Sequence, residues 1–249
     1  MNSSVTTAII LVCLSGAIWM GMLVRRRLPE QHFSADTKET VKLAMGLVAT
    51  MAALLLSLLV SSAKDSYDTV RNEVIELASE LVFLDRLLEL YGKETAAIRA
   101  GFSAEMEKAI PAIWSTAHGD ASPDVKKGDG LYMAIQSLVP ANDVQRALKE
   151  AAVGQVIELG RLRTLLRTQA TSSISLPLLV VVVCWLVIIF FSFSIFAPPN
   201  QTAMLALVVS TVAVAGAIFL ILEMDRPFTG LIQISEEPMQ KALKAMNQP

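Results

Sequence analysis

The sequence predicts an all-α membrane protein with four transmembrane helices, in which long helical extensions of the second and third spans form an extramembrane hairpin or bundle. Of its 249 residues 53% are hydrophobic and only 18% are charged, and apolar runs long enough to cross a bilayer occur four times. A helix needs about 20 apolar residues to span a hydrocarbon core of about 30 Å. The net charge of −2 gives no basic field, so we expect a lipid bilayer and no nucleic acid as partner.

The first apolar run covers residues 8–24 and ends in Arg25, Arg26 and Arg27. A cleaved signal peptide carries its positive charge before the apolar segment, whereas here the charge follows it. We therefore expect an uncleaved first transmembrane helix. In the polar connector of residues 28–41, Asp36 or Thr37 is expected to cap the next helix.

The second span begins at Lys42, stays apolar to Ala63, and continues without Gly or Pro into charged sequence that ends at Gly92. Beyond the membrane, large apolar residues recur at alternating steps of 3 and 4, which is typical of a coiled-coil seam. The seam residues are Tyr67, Val70, Val74, Leu77, Leu81, Leu84, Leu88 and Tyr91. One continuous helix is therefore predicted to cross the membrane and project beyond it.

Small side chains form one face of the second span. They are Gly46, Ala49, Ala53, Ser57 and Ser61, called here the small stripe. The stripe favours either close helix packing, because small residues let backbones approach in lipid, or the lining of a water-filled path. In the fourth span Ala206, Ser210, Ala213 and Ala217 repeat the pattern, so spans two and four are expected to be the inner helices.

The expected domains are a hairpin of the first two spans (residues 1–63), an extramembrane helical domain (64–173), a hairpin of the third and fourth spans (174–223) and a C-terminal segment with a short amphipathic helix (224–249). Within the extramembrane domain, residues 93–116 form a helix kinked at Pro111, and residues 119–130 form a loop. A long helix capped by Asn142 or Asp143 presents an apolar face from Val144 to Leu166 and packs antiparallel on the seam.

With four crossings, the end of span two, the start of span three and the end of span four lie on the same side of the membrane. This side gathers the charged residues Lys64, Asp65, Asp68, Arg167, Glu223, Asp225 and Arg226, called here the boundary charges. Charges near hydrocarbon are costly unless paired or wet, so we expect ion pairs such as Lys64 with Glu223 and Asp68 with Arg226. They either anchor helix ends at the interface or ring the mouth of a pore.

The orientation rests on two conflicting charge counts. The triplet from Arg25 to Arg27 slightly favours a cytoplasmic connector after span one, which leaves both termini and the middle segment outside. Basic residues on the opposite face are more numerous, but long loops translocate with little regard to their charge.

Catalytic and metal-binding patterns are missing from the sequence, so we expect neither an enzyme nor a cofactor. His32 and His118 fall in connectors without a metal-spaced partner, and Cys13 and Cys184 fall inside apolar spans, where a thiol usually packs as a small hydrophobe. The sequence has no phosphate-binding glycine loop and no nucleophile elbow.

Four stretches together resemble the bestrophin-like family of bacterial membrane proteins of unknown function. They are Gly-Leu-Val-Ala-Thr at 46–50, Ser-Ser-Ala-Lys-Asp-Ser-Tyr-Asp at 61–68, Leu-Asp-Arg-Leu-Leu at 84–88, and residues 221–232 with Asp225, Arg226, Pro227 and Phe228. The resemblance implies four spans in the bacterial inner membrane with a large segment between the second and third. It also implies a distant kinship to bestrophins, which are pentameric anion channels with a cytoplasmic middle segment.

Three functions remain open at this stage. The first is a homo-oligomeric, channel-like pore lined by the small stripe, with a pentamer as the analogous assembly. The second is a membrane-anchored scaffold or signalling subunit that binds a protein partner through its seam, and the third is a transporter subunit. No Phe occurs between Gly46 and Ala63, so this span lacks the aromatic neck of bestrophins.

Overall fold

The computed structural model describes residues 3–27, 29, 34–116, 129–169, 175–198 and 200–247. These residues form eight α-helices and no β-strand: α1 (Ser3–Arg27), α2 (Ala35–Tyr91), α3 (Ala96–Thr116), α4 (Asp129–Gln136), α5 (Asp143–Gln169), α6 (Leu176–Phe196), α7 (Gln201–Met224) and α8 (Glu237–Met246). The helices α1, α2, α6 and α7 are long and apolar enough to cross a membrane. The predicted all-α membrane fold is confirmed.

The chain divides into two compact units. The first unit comprises Met1–Ser66 and Ser173–Asp225, and the second comprises Tyr67–Ser172 and Arg226–Pro249. The predicted loop at 119–130 and both histidines lie largely or wholly outside the described residues, as do residues 170–174 between α5 and α6. The described part of α5 ends at Gln169, and α6 begins at Leu176.

In the first unit α1 packs against α6 and α7. The hydroxyl of Ser194 on α6 donates to the carbonyl of Ile18 on α1, and a Cβ atom at Gly21 would lie 2.7 Å from the carbonyl oxygen of Phe191. Because late residues of both helices meet, α1 and α6 run parallel. Ser3 at the start of α1 donates to the carbonyl of Leu222 at the end of α7, so these two helices run antiparallel.

The long helix α2 begins two or three residues earlier than predicted. The N-cap is Ser34 rather than Asp36 or Thr37. The Ser34 hydroxyl accepts a hydrogen bond from the backbone N–H of Thr37 at 3.2 Å. From Ala35 the helix then runs for 57 residues without interruption.

Three side chain and backbone features end α2 at Tyr91. Gly92 adopts φ 130°, a conformation that L side chains rarely adopt. The Thr95 hydroxyl donates to the carbonyls of Leu88 and Gly92, and the Gln145 amide donates to the carbonyl of Tyr91 at 2.9 Å. Two of the last four carbonyls of the helix, those of Leu88 and Tyr91, therefore have side-chain partners.

The second unit contains the predicted antiparallel pairing of α2 with α5. Gln145 contacts Tyr91, whereas Gln155, ten residues later on α5, donates to Glu80 on an earlier turn of α2. The seam residues from Val70 to Tyr91 are all at least 90% buried, and Tyr67 packs against the same cluster. Val144, expected on the apolar face of α5, is instead 68% exposed.

The C-terminal helix α8 lies against the second unit. Met239, Ala242 and Met246 are buried in the same hydrophobic cluster as the seam, and Asn247 accepts a hydrogen bond from Ser103 on α3. The predicted amphipathic helix therefore packs on the helical bundle.

We predict that Gly21→Ala destabilises the protein, because its new methyl group would press on the backbone of α6. Overpacking of this kind costs about 1–3 kcal/mol, and the measurement is thermal unfolding of the detergent-purified protein. The matched control is Gly16→Ala on the same helix, where a Cβ atom meets nothing within 4 Å and helix propensity favours the change. Equal stability of both variants would contradict the close approach.

Candidate functional site

The small stripe lies on an uncovered face of α2. Gly46, Ala53, Ser57 and Ser61 are exposed and Ala49 is half-buried, whereas the residues that α2 buries in the first unit are Ala52, Leu59 and Ala63. On a helix with 3.6 residues per turn, the buried face and the stripe lie about 120° apart. The stripe therefore does not serve packing within this chain.

A second exposed face of α2 was missed by the sequence analysis. It is a ridge of large apolar residues at steps of 4, 4, 3 and 4, namely Leu43, Leu47, Met51, Leu54 and Leu58, which are between 46% and 72% exposed. Their regular spacing identifies these five residues as one face of the helix. The sequence does not show, however, which apolar face of a membrane helix is buried against other helices. We call this face the leucine ridge.

Spans two and four were expected to be the inner helices, but within the single chain they are less buried than spans one and three. The expectation is therefore wrong for the single chain. In the most apolar window of each span, 11% of α2 and 22% of α7 is buried, against 28% of α1 and 33% of α6. On α7 the predicted small residues Ala206, Ser210 and Ala213 are exposed. The reason is that α1 and α6 approach each other most closely, at Gly21 and Ser194.

The boundary charges differ in their burial. Glu223 is 97% buried, Asp68, Asp225 and Arg226 are half-buried, and Lys64 and Asp65 are exposed. All six make at least one polar or electrostatic interaction. The Ser61 hydroxyl lies 3.5 Å from the Asp65 carboxylate, so the small stripe ends beside the first boundary charge of α2.

Two parts of the expectation about the boundary charges stay predictions: the place of the Arg167 side chain and the identity of the ion pairs. The side chain of Arg167 lies outside the described residues, although its backbone belongs to α5. The specific pairs Lys64 with Glu223 and Asp68 with Arg226 also stay expectations.

The Asp225 to Phe228 stretch forms the turn after α7. The Asp225 backbone N–H donates to the carbonyl of Ile221 and closes the helix. In the second unit, the carbonyl of Pro227 accepts from the N–H of Ile234 at 2.8 Å.

Trp114 on α3 holds this turn in two ways. Its ring meets the Phe228 ring edge to face, with centroids 5.7 Å apart, and its indole N–H donates to the Ile234 carbonyl at 2.8 Å. Trp114 is 92% buried, yet the sequence analysis did not single it out. Its partners Phe228 and Ile234 are more than 110 residues away in sequence, so local spacing could not identify these contacts.

Asp85, in the Leu-Asp-Arg-Leu-Leu stretch, is a buried carboxylate with a dedicated partner. Arg99 donates two hydrogen bonds to its two oxygens, each 2.8 Å long. The hydrogen bond from Arg99 to Asp85 raises the pKa of the guanidinium further above its ordinary value, so Arg99 stays charged throughout the physiological range.

No group of residues able to hold a metal ion occurs in the described part of the chain. Cys13 on α1 and Cys184 on α6 are both exposed on the surface of the first unit.

An all-α chain with four apolar spans and two exposed faces on its second span defines a multi-pass helical membrane protein. Its family follows from a sequence comparison: the family model of the Bestrophin-like domain matches residues 12–239. The chain belongs to this family, as its sequence motifs predict. No curated protein and no solved structure matches the chain.

We predict that Trp114→Phe lowers the thermal unfolding temperature, since the ring contact survives but the buried carbonyl of Ile234 loses its donor. The expected cost is about 1–3 kcal/mol. Trp19→Phe is the control, because Trp19 is 63% exposed on α1. A Trp114→Phe protein as stable as the control would mean that the indole hydrogen bond contributes nothing.

Arg99→Gln is expected to destabilise the second unit by about 1.5–3 kcal/mol, because it leaves the buried Asp85 carboxylate without its charged partner. Arg86→Gln is the matched control, since Arg86 pairs with Glu89 on the exposed surface, where such pairs contribute about 0–1 kcal/mol. Thermal unfolding of both variants measures the difference, and a larger effect at Arg86 would refute this assignment.

Proposed function

We propose that the chain assembles into a homo-oligomeric, channel-like pore in the bacterial inner membrane, with the small stripe of α2 facing a central path. The observation that carries the proposal is the lack of cover on α2. Its stripe and its leucine ridge are both exposed, although α2 buries a third face in the first unit.

The chemistry of the stripe supports a wet environment for it. Ser57 and Ser61 place two hydroxyls on an exposed membrane face, and Lys64 and Asp65 follow within one turn. Hydroxyls and charges cost less free energy beside water than beside hydrocarbon. A face of this composition is better suited to a water-filled path than to lipid.

The leucine ridge supports assembly. It lies about 90° around α2 from the small stripe, so a ring can direct the stripe to its axis while each ridge contacts the neighbouring copy. The analogous assembly in bestrophins is a pentamer. In such a ring the boundary charges Lys64, Asp65, Asp68, Arg167, Glu223, Asp225 and Arg226 repeat once per copy at the mouth of the path.

The scaffold function receives less support from the packing. Leu81 and Leu88 of the seam lie in the same buried cluster as Leu159 and Leu166 of α5. The chain itself covers the surface that a partner helix would need. A pore, rather than a partner-binding seam, is therefore the function we put forward.

For the orientation we propose a cytoplasmic connector at residues 28–41, from the arginines at the end of α1. The bestrophin analogy predicts the opposite, with a cytoplasmic middle segment.

Planar-bilayer recording of the purified protein tests the pore. We expect ion conductance that falls at least about twofold in Ser57→Leu and Ser61→Leu, because a leucine narrows the path and makes it less wet. Ser62→Leu is the matched control: it makes the same change at an exposed position about 100° around the helix from Ser61. Silence in several salts, or equal effects of all three substitutions, would refute the proposal.

A further inference from the structure

The first unit has an open cleft at the end where α6 leads into α7. It has a volume of about 400 Å³, within the range of small-ligand sites. The first three turns of α2, the last turns of α6 and the first turns of α7 enclose it.

The lining of the cleft combines two chemistries. Its wall is almost entirely apolar and includes Phe193, Phe196 and Leu207, while Lys38 and Lys42 from α2 also line it. The two lysines are one turn apart and therefore share a face of α2. The acidic neighbours Asp36 and Glu39 are not among the described residues that line the cleft.

The position of the cleft matches the depth of a lipid headgroup. Lys42 directly precedes the apolar run of α2, and Phe196 and Gln201 end and begin the two other spans. Lysine stems lie along apolar surface and carry their ammonium groups to the level of the headgroups. Asn200 already accepts the N–H of Ala203 and caps α7, so the lysines supply the positive charge at this site.

We infer that the cleft binds an anionic phospholipid, whose phosphate pairs with Lys38 and Lys42 and whose acyl chain lies against Phe193, Phe196 and Leu207. A zwitterionic lipid of the same chain length would fill the apolar wall but would lack the net negative charge that two lysines attract. This binding is independent of whether the protein conducts ions.

Native mass spectrometry of the detergent-purified full chain tests the inference, with phosphatidylglycerol and phosphatidylcholine of identical acyl chains as probes. We expect wild type to retain phosphatidylglycerol preferentially and Lys38→Gln/Lys42→Gln to lose about tenfold of that preference. Lys38→Arg/Lys42→Arg should keep it. Lys241→Gln/Lys244→Gln on α8 removes the same charge from two residues of the second unit that do not line the cleft, and should also keep it.

A second pair of variants tests the apolar wall. Ala206→Leu fills the cleft and should weaken retention of both lipids, whereas Ala213→Leu, two turns further along α7 and outside the lining, should not. Inorganic phosphate at millimolar concentration should not displace phosphatidylglycerol, because it has no chain to bind the wall.

Three outcomes of the lipid measurements would overturn the inference, and a fourth comes from oligomer formation. They are the absence of a phosphatidylglycerol preference in wild type, an equal loss in the cleft and α8 lysine variants, and a preference that survives in Lys38→Gln/Lys42→Gln. If a second copy of the chain occupied the cleft, oligomers would retain neither lipid there, and the inference would also fail.

Discussion

The uninterrupted hydrogen bonding of α2 is the constraint on which the rest of the structure depends. In hydrocarbon every backbone N–H and C=O must bond within its own helix, and α2 keeps that pattern for 57 residues from Ala35 to Tyr91. At 1.5 Å per residue the helix is about 85 Å long. Side chains bond to backbone groups at both ends of the helix. Ser34 accepts an N–H of the first turn, and Thr95 and Gln145 donate to carbonyls of the last turn.

The two halves of α2 are covered to very different degrees. Around the seam, α5 and its neighbours bury one apolar residue per turn, and Leu84 and Leu88 are almost fully inaccessible. In the membrane half, Ala52, Leu59 and Ala63 are buried while the leucine ridge is not. Lipid tails and protein side chains are both apolar, so the membrane half of α2 can be stable against either lipid or a second copy of the chain. Which of the two contacts its exposed faces therefore bears on the function.

The sequence predicted those features that depend on local periodicity. The seam alternates steps of 3 and 4 over seven turns, so its burial and the antiparallel partner helix were predicted correctly. The cap was misplaced because Ser34, Asp36 and Thr37 are all competent capping residues within one turn. Which spans are most buried within the single chain was predicted wrongly, because hydrophobicity does not separate a lipid-facing surface from a protein-facing one. Trp114 was missed because its burial depends on Phe228 and Ile234, far along the chain.

The absence of a break in α2 has a consequence for how this protein tolerates insertions and deletions. One residue added between Ala53 and Ser57 would turn the part of the membrane segment before it by about 100° relative to the part after it. Only length changes near whole numbers of turns, about 7 or 11 residues, would keep Gly46, Ala49 and Ala53 on the same face as Ser57 and Ser61. Sequence length within the membrane half of α2 is thus tied to the angle between its faces.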